Sequence, residues 1–352
     1  MKALVYPEWD RLEVRDVPEP TPKPGEVMVR VAAVGICGSE LEGFATRSPR
    51  RTPPLIMGHE FCGEVAQVGE GVSGYRQGDR VVVNSVISCG RCEDCRDGQS
   101  HLCREREVFG MKRPGGFAEL CAVPVSTLLP LPEKVSPLQG ALVEPLANGV
   151  HALGLTRQRF PETVVVIGAG TIGLMALQVA KAAGAFRLLA VDVSDARLEV
   201  AHQLGAEPVL NPRRADVVAA VREFTRGRGA DLVVDAVGAS ETRRAAVAAT
   251  RPGGEIVWVG LHDDPTQVSG FDVVLGERKI TGSYAVTPHD LRAAIGLFAH
   301  GKIELAPWVR PFPLSEGARV FRELVTAPPA DYIKALLLPG CIQNWVMGSY
   351  AA

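Results

Sequence analysis

Thr163-Val-Val-Val-Ile-Gly168-Ala-Gly170-Thr-Ile-Gly173-Leu-Met-Ala-Leu-Gln-Val-Ala180 is the stretch that decides the architecture. No charged residue falls within its 18 positions, a length close to that of a membrane span. Three early glycines argue against a span, and the β-branched run Thr163–Ile167 favours a strand. The spacing predicts a strand, a tight turn and a helix. In that setting the glycines divide the labour of a dinucleotide cradle. Gly168 permits the turn, Gly170 lets backbone approach a pyrophosphate, and Gly173 lets the helix pack on the strand, whose N-terminus then faces the phosphate charge. Asp192, 19 residues after Gly173, ends the next predicted strand. A carboxylate there accepts hydrogen bonds from both adenosine ribose hydroxyls and repels a 2′-phosphate, which favours NAD over NADP. Arg197 is placed to cover the adenine face. The plainer readings are a helix N-terminal acid for Asp192 and a solvated charge for Arg197. Thr171, Ile172, Val237, Val259 and Ser283 complete the candidate cofactor contacts.

Working outward, predicted strands at Thr163–Gly168, Arg187–Val193, Pro208–Asn211, Asp231–Val237, Glu255–Gly260 and Lys279–Tyr284 alternate with predicted helices at Thr171–Ala183, Asp195–Leu204, Ala215–Arg226 and Glu241–Thr250. Such alternation specifies a parallel sheet with helices on both faces. Upstream the texture differs. Met1–Val17, Glu26–Ile36, His59–Val68 and Arg80–Asn84 are strand-like and separated by Gly and Pro. Beyond Pro288 the pattern is mixed, with helices expected near His289–His300 and Leu314–Val325. The expected organisation is α/β: a β-rich domain over 1–147, a doubly wound parallel-sheet domain over 148–284, and a return to the first domain over 285–340. No role is read for the uncharged tail 341–352.

The 352 residues suffice for two cores, with 46% hydrophobic content. A net charge of -2, from 38 basic and 40 acidic side chains, leaves no basic field for nucleic acid or an anionic membrane. Met1–Val17 alternates apolar and charged residues and lacks an apolar signal core, so a cytoplasmic, reducing location is expected. There the eight cysteines are thiols or thiolates rather than disulfides. Four of them, Cys89, Cys92, Cys95 and Cys103, are spaced C-x2-C-x2-C-x7-C. Four thiolates on one short lobe close a tetrahedral shell and suit a structural zinc. A redox C-x-x-C is disfavoured by the third and fourth cysteines; an iron–sulfur cluster is the other rival.

A second constellation is dispersed. Cys37 follows a strand in Gly-Ile-Cys-Gly-Ser-Glu, His59 and Glu60 open another in Gly-His-Glu, and Glu144 precedes Pro-Leu-Ala. Each alone is weak, since a lone cysteine is usually a small core hydrophobe. Together they offer a thiolate, an imidazole and carboxylates, a donor set for a catalytic zinc with an exchangeable position.

Gly35-Ile-Cys-Gly-Ser39, Gly58-His-Glu60, the Cys89–Cys103 lobe, Gly116-Phe-Ala-Glu119, Glu144-Pro-Leu, the Gly168–Gly173 turn and Asp192 appear in the order of the medium-chain zinc alcohol dehydrogenases. Over nearly its whole length the chain resembles their polyol and threonine dehydrogenase branch. The resemblance implies a GroES-like β-barrel catalytic domain, a Rossmann domain inserted into it, an active cleft where they meet, and a homodimer or homotetramer. It implies two zinc ions per chain, one catalytic and one structural, with NAD as hydride acceptor and a small-molecule secondary alcohol as substrate: a polyol, a diol, a threonine-like alcohol or a polyol phosphate. Cys37 and His59 map onto zinc ligands, Glu60 onto the acid that ligates or exchanges, and Glu144 onto the polyol branch's glutamate. Ser39 maps onto the hydroxyl that takes the alcohol proton. Where many relatives carry a relay histidine three residues later, this chain has Glu42, before Gly43 in an expected open loop. Arg47, Arg50 and Arg51 could bind a substrate phosphate or acid, although a solvated basic loop is the preferred reading. The rival functions are a carbonyl reductase on the same site, a zinc-free quinone reductase and a non-catalytic nucleotide-binding protein. The last two predict loss of the metal ligands.

Overall fold

A computed structural model describes residues 1–157 and 161–340. The tail 341–352 lies outside the described residues. The chain divides into two compact units. One comprises Met1–Glu144, Thr287–His300 and the described residues from Trp308 onward; the other comprises Pro145–Val286 and Gly301–Pro307.

In the second unit six strands form one parallel sheet, Thr163–Ile167, Arg187–Val191, Val209–Leu210, Ala230–Asp235, Thr250–Trp258 and Lys279–Gly282. Numbered along the chain, they lie in the order 3-2-1-4-5-6, the doubly wound order of dinucleotide-binding sheets. The strand Thr163–Ile167 is wholly buried, and in the following helix, Thr171–Ala182, Gly173 to Ala180 are all buried. The uncharged run is therefore core on both sides of its turn, and it passes no membrane. No helix among the described residues is long and apolar enough to cross one. Val165, Ile167, Leu189, Val191, Val233 and Ile256 anchor this core, each removal from water contributing about 1.5–3 kcal/mol. The side chain of Gln178 exchanges two hydrogen bonds with the backbone of Glu304, which ties Gly301–Pro307 to this unit. The strand expected from Glu255 starts at Thr250, and a short helix at Gly270–Leu275 went unanticipated because its six residues are too few for a periodic signal.

The first unit is built on a seven-stranded sheet. Its central strand, Glu26–Gly35, pairs with Glu60–Val68, with Leu120–Pro124 and with Lys334–Leu338, the last arriving from the far end of the chain. Nine of its ten residues are buried, so both its faces are covered and its apolar residues run almost continuously instead of alternating. A smaller sheet, including Lys2–Glu8 and Arg11–Asp16, lies beside it. Helix Gly38–Ala45 packs on helix Gly317–Thr326 through an edge-to-face contact of Phe44 and Phe321, ring centroids 5.4 Å apart.

Candidate active site

Three pieces of chain meet at one end of the strand Glu26–Gly35. The chain leaves that strand through Ile36, and Cys37 becomes the N-cap of helix Gly38–Ala45. Glu60 opens the neighbouring strand directly opposite Gly35. Lys334 opens the strand on the other side, two residues before Leu336, which pairs with Gly35. In this corner a sulfur of Cys37, a ring nitrogen of His59 and a carboxylate oxygen of Glu60 all lie within 4.8 Å of one another. His59 and Glu60 are buried and Cys37 is half-buried. A tetrahedral zinc with bonds of about 2.0–2.3 Å separates its ligand atoms by about 3.3–3.8 Å. The trio fits such an ion with modest closure, and its soft sulfur, imidazole and carboxylate match zinc chemistry.

The surrounding groups aim the trio. Glu40 is completely buried and its carboxylate meets three donors. Its Oε1 accepts from the Gly58 amide at 2.8 Å and lies 2.8 Å from His59 Nδ1, while Oε2 accepts from the Cys37 amide at 3.0 Å. Holding a proton on Nδ1 leaves the lone pair of Nε2 for the centre. Burial alone would raise the Glu40 pKa, but His59 and Arg51 bring it below the usual carboxylate value. Burial would depress His59, yet the negative charge of Glu40 and Cys37 holds it well above an ordinary imidazole.

Lys334 Nζ donates to the Ile36 carbonyl at 2.8 Å and to Glu60 Oε2, with both side chains only 2% exposed. Burial pushes the ammonium pKa down and Glu60 more than restores it. The two meet across Gly35: a Cβ at that position would stand 2.0 Å from Glu60 Oε2. Glu144 is buried and accepts from Ser85 Oγ at 3.1 Å. Burial and Glu60 raise its pKa, opposed by His59, so it neighbours the trio without joining the 4.8 Å group.

Ser39 is exposed. Its Oγ donates to Cys37 Sγ at 3.3 Å and accepts from Arg51 Nη2 at 3.0 Å, and Arg51 Nη1 donates to the Ser39 carbonyl at 2.8 Å. The solvated basic loop therefore needs correction. Arg50 is exposed and Arg47 pairs with Asp10 at the surface, but Arg51 is 3% exposed. Its stem lies against Gly43, where a Cβ would stand 3.1 Å from Arg51 Cδ. Glu42 is likewise corrected. It lies exposed within helix Gly38–Ala45, not in an open loop. The Glu40 carboxylate capping the Cys37 amide starts that helix upstream, which carries Glu42 and Gly43 into its interior.

The cysteine lobe is compact. The sulfurs of Cys89, Cys92, Cys95 and Cys103 all lie within 4.8 Å of one another, with Cys92 and Cys95 at 3.4 Å. The amides of Arg91 and Cys92 bring the Cys89 thiol down to about 6, which favours thiolate near neutral pH. All described cysteines are free of disulfides.

In the second unit Gly168 has φ +97°, a conformation that suits glycine, and a Cβ on Gly173 would stand 1.7 Å from the Gly168 carbonyl. At Gly170 a Cβ would meet nothing within 4 Å, so open space lies at the N-terminus of the 12-residue helix. That is the room a pyrophosphate requires. Asp192 Oδ2 accepts from the Ala169 amide and Oδ1 from the Ser194 amide, each at 2.8 Å, which fixes the carboxylate at the strand end. Arg197 Nη1 lies 3.9 Å from Asp192. Val237, Val259 and Ser283 follow the ends of three adjacent strands, the edge where open parallel sheets bind ligands.

Two aiming residues, Glu40 and Lys334, escaped the sequence reading, and the aiming role of a third, Arg51, was missed where it was read as loop charge. Glu40 had a signal, an acid three residues after the helix cap. Lys334 had one too, a lone charge heading the apolar Lys334–Leu338. Arg51 had none.

Comparison with known proteins follows the same division. Residues 23–133 match the family described as alcohol dehydrogenase GroES-like domain, and residues 171–300 match zinc-binding dehydrogenase. L-Threonine 3-dehydrogenase of Pyrococcus abyssi is 35% identical over 302 residues, covering 84% of this chain and 86% of that one. Sorbitol dehydrogenase of Halalkalibacterium halodurans is 32% identical over 345 residues, covering 96% and 99%. A zinc-binding dehydrogenase of Sinorhizobium meliloti, solved bound to NADP, superposes with a TM-score of 0.89 at 32% identity, covering 96% of this chain and 99% of that one.

Proposed function

We propose that this chain, which belongs to the zinc-dependent medium-chain alcohol and polyol dehydrogenases, oxidises the secondary alcohol of a small polyol, diol or threonine-like compound with NAD. It is an oxidoreductase with a GroES-like unit and a Rossmann sheet. The observation that carries the finer reading is the buried trio Cys37, His59 and Glu60 beside the hydroxyl of Ser39. These three residues would hold the catalytic zinc, with Glu144 as a further carboxylate at hand. The ion supplies Lewis acidity, which lowers the pKa of a substrate hydroxyl. Ser39 would accept the alcohol proton as its exposed hydroxyl turns from Cys37 and releases its own proton to water. Glu40 keeps His59 in the right tautomer, and Lys334 restrains Glu60. Cys89, Cys92, Cys95 and Cys103 would hold a second, structural zinc with no open position.

The turn Gly168–Gly173, with Thr171 and Ile172, receives the pyrophosphate of the coenzyme, which supplies the hydride acceptor. Asp192 supports NAD, since a fixed carboxylate accepts from two ribose hydroxyls but repels a 2′-phosphate. The NADP-bound relative makes this a point for direct test. Residues 1–147 with 285–340 are assigned to catalysis and 148–284 to the coenzyme. Exposed Phe271, Val274 and Leu275 on one short helix favour a homo-oligomer, and the thiolate clusters favour a reducing, cytoplasmic setting. The test is NAD and NADP reduction over a panel of polyols, diols, threonine and polyol phosphates, with metal analysis. Turnover with NAD and about two zinc ions per chain are expected. Absence of zinc, or turnover confined to NADP, would overturn the corresponding assignment.

A further inference from the structure

Arg51 is a buried cation that, among the described residues, has no carboxylate within ion-pair distance. Burying a guanidinium in this way costs free energy that a surface position would avoid. Among the described residues its hydrogen-bond acceptors are the carbonyl and the hydroxyl of one residue, Ser39, and its Nε has no hydrogen-bond partner. The fold accommodates the arrangement deliberately: Gly43 leaves the helix surface open where the Arg51 stem passes. The guanidinium grips both polar oxygens of Ser39.

We propose that Arg51 is a positioning residue for the Ser39 hydroxyl, an inference that rests on the proton-accepting role given to Ser39 above. A serine hydroxyl has one proton and two lone pairs. Arg51 Nη2 occupies one lone pair at 3.0 Å, and the proton lies toward Cys37 Sγ at 3.3 Å. The second lone pair is left for the alcohol proton, in a direction the two bonds fix. Arg51 carries no proton itself, because a guanidinium stays charged and has no acceptor. Its contribution is orientation, through a planar fork that reaches carbonyl and hydroxyl together, which a lysine ammonium cannot reproduce at both points.

The experiment is a double-mutant cycle of Arg51→Met and Ser39→Ala in the zinc-loaded protein, with Arg51→Lys as the conservative variant. The substrate is the best alcohol from the panel above, and each variant's kcat, KM, melting temperature and zinc content are measured. Arg51→Met is expected to lower kcat roughly 10- to 100-fold, the loss of one charge-assisted hydrogen bond, while KM for NAD and zinc content hold. In the Ser39→Ala background the same change should alter kcat by about twofold or less. Arg51→Lys should recover part of the loss. Equal effects in both backgrounds, or zinc lost together with turnover, would overturn the proposal while leaving the Ser39 role intact. Near-parental turnover in Ser39→Ala would remove that role and the proposal with it. If Arg51→Met does not fold, Arg51→Gln, which keeps an uncharged donor, runs the same cycle.

Discussion

Adding one methyl group at Gly35 should break the corner that holds Glu60. The Cβ of Gly35→Ala would stand 2.0 Å from Glu60 Oε2, whereas real Cβ contacts essentially never fall below 3.0 Å. The carboxylate must therefore retreat by at least 1.0 Å, the difference of those two distances. It has little room to do so. Glu60 and Lys334 are each 2% exposed, and Lys334 is also tied to the Ile36 carbonyl. Retreat lengthens the ion pair and crowds both side chains without admitting water to either charge. Removing one partner of a buried ion pair outright costs about 3–5 kcal/mol, which is the ceiling for this weakening. At about 2–4 °C per kcal/mol for a domain of 150–250 residues, the melting temperature should fall by more than about 2 °C and by at most about 20 °C. Gly296→Ala is the control, since no atom lies within 4 Å of its Cβ position in helix Pro288–Ala299. It should stabilise by up to about 1 kcal/mol. Thermal melts of the three zinc-loaded proteins decide the matter. A Gly35→Ala protein melting within about 2 °C of the parent would refute the idea that the missing side chain is what lets Glu60 and Lys334 meet.

Cys37→Ser should abolish turnover in a folded, NAD-binding protein, whereas Cys95→Ser should lower stability or yield because the sulfur shell loses a ligand; turnover, coenzyme titration and melting separate the two. Asp192→Ala should weaken use of NAD and relieve rejection of NADP, read as the ratio of kcat/KM for the two coenzymes; a parent enzyme equally active with NADP would remove the premise. Glu42→Gln should lower kcat only a few-fold, below the roughly 10²–10⁴-fold range for losing a general base, because Glu42 is exposed on its helix; a drop of that larger size with zinc retained would make it the proton carrier.

The parts of this protein legible in sequence are those where chemistry and local geometry coincide. The uncharged strand-turn-helix at Thr163–Ala180 announced itself because one contiguous segment carries the β-branched run, the glycine spacing and the helix that follows. The cysteine lobe was legible for the same reason, with four cysteines inside 15 consecutive residues. The strand order was implied by alternation but not stated by it, since order depends on which strands pair after the helices cross over. Glu42 was misplaced because Gly43 looked like loop punctuation. In the folded chain that glycine instead makes room for Arg51.

The side chains proposed to hold the metal and the groups that aim them obey different rules. Cys37, His59 and Glu60 sit in short motifs because strand ends and helix caps orient them locally. Lys334 reaches Glu60 across 274 positions of sequence, through a strand that joins the sheet only when the chain returns from the second unit. Arg51 reaches Ser39 across 12 positions, by a loop whose path no periodicity encodes. Both bring positive charge into a corner already holding Glu40 and Glu60, and both are fixed by hydrogen bonds to backbone carbonyls as well as to side chains. A relative can therefore keep the ligand motifs intact and still differ in how its carboxylate is restrained or its hydroxyl directed. Differences in rate and substrate among dehydrogenases with these motifs should accordingly track positions such as 51 and 334 more closely than the ligands themselves.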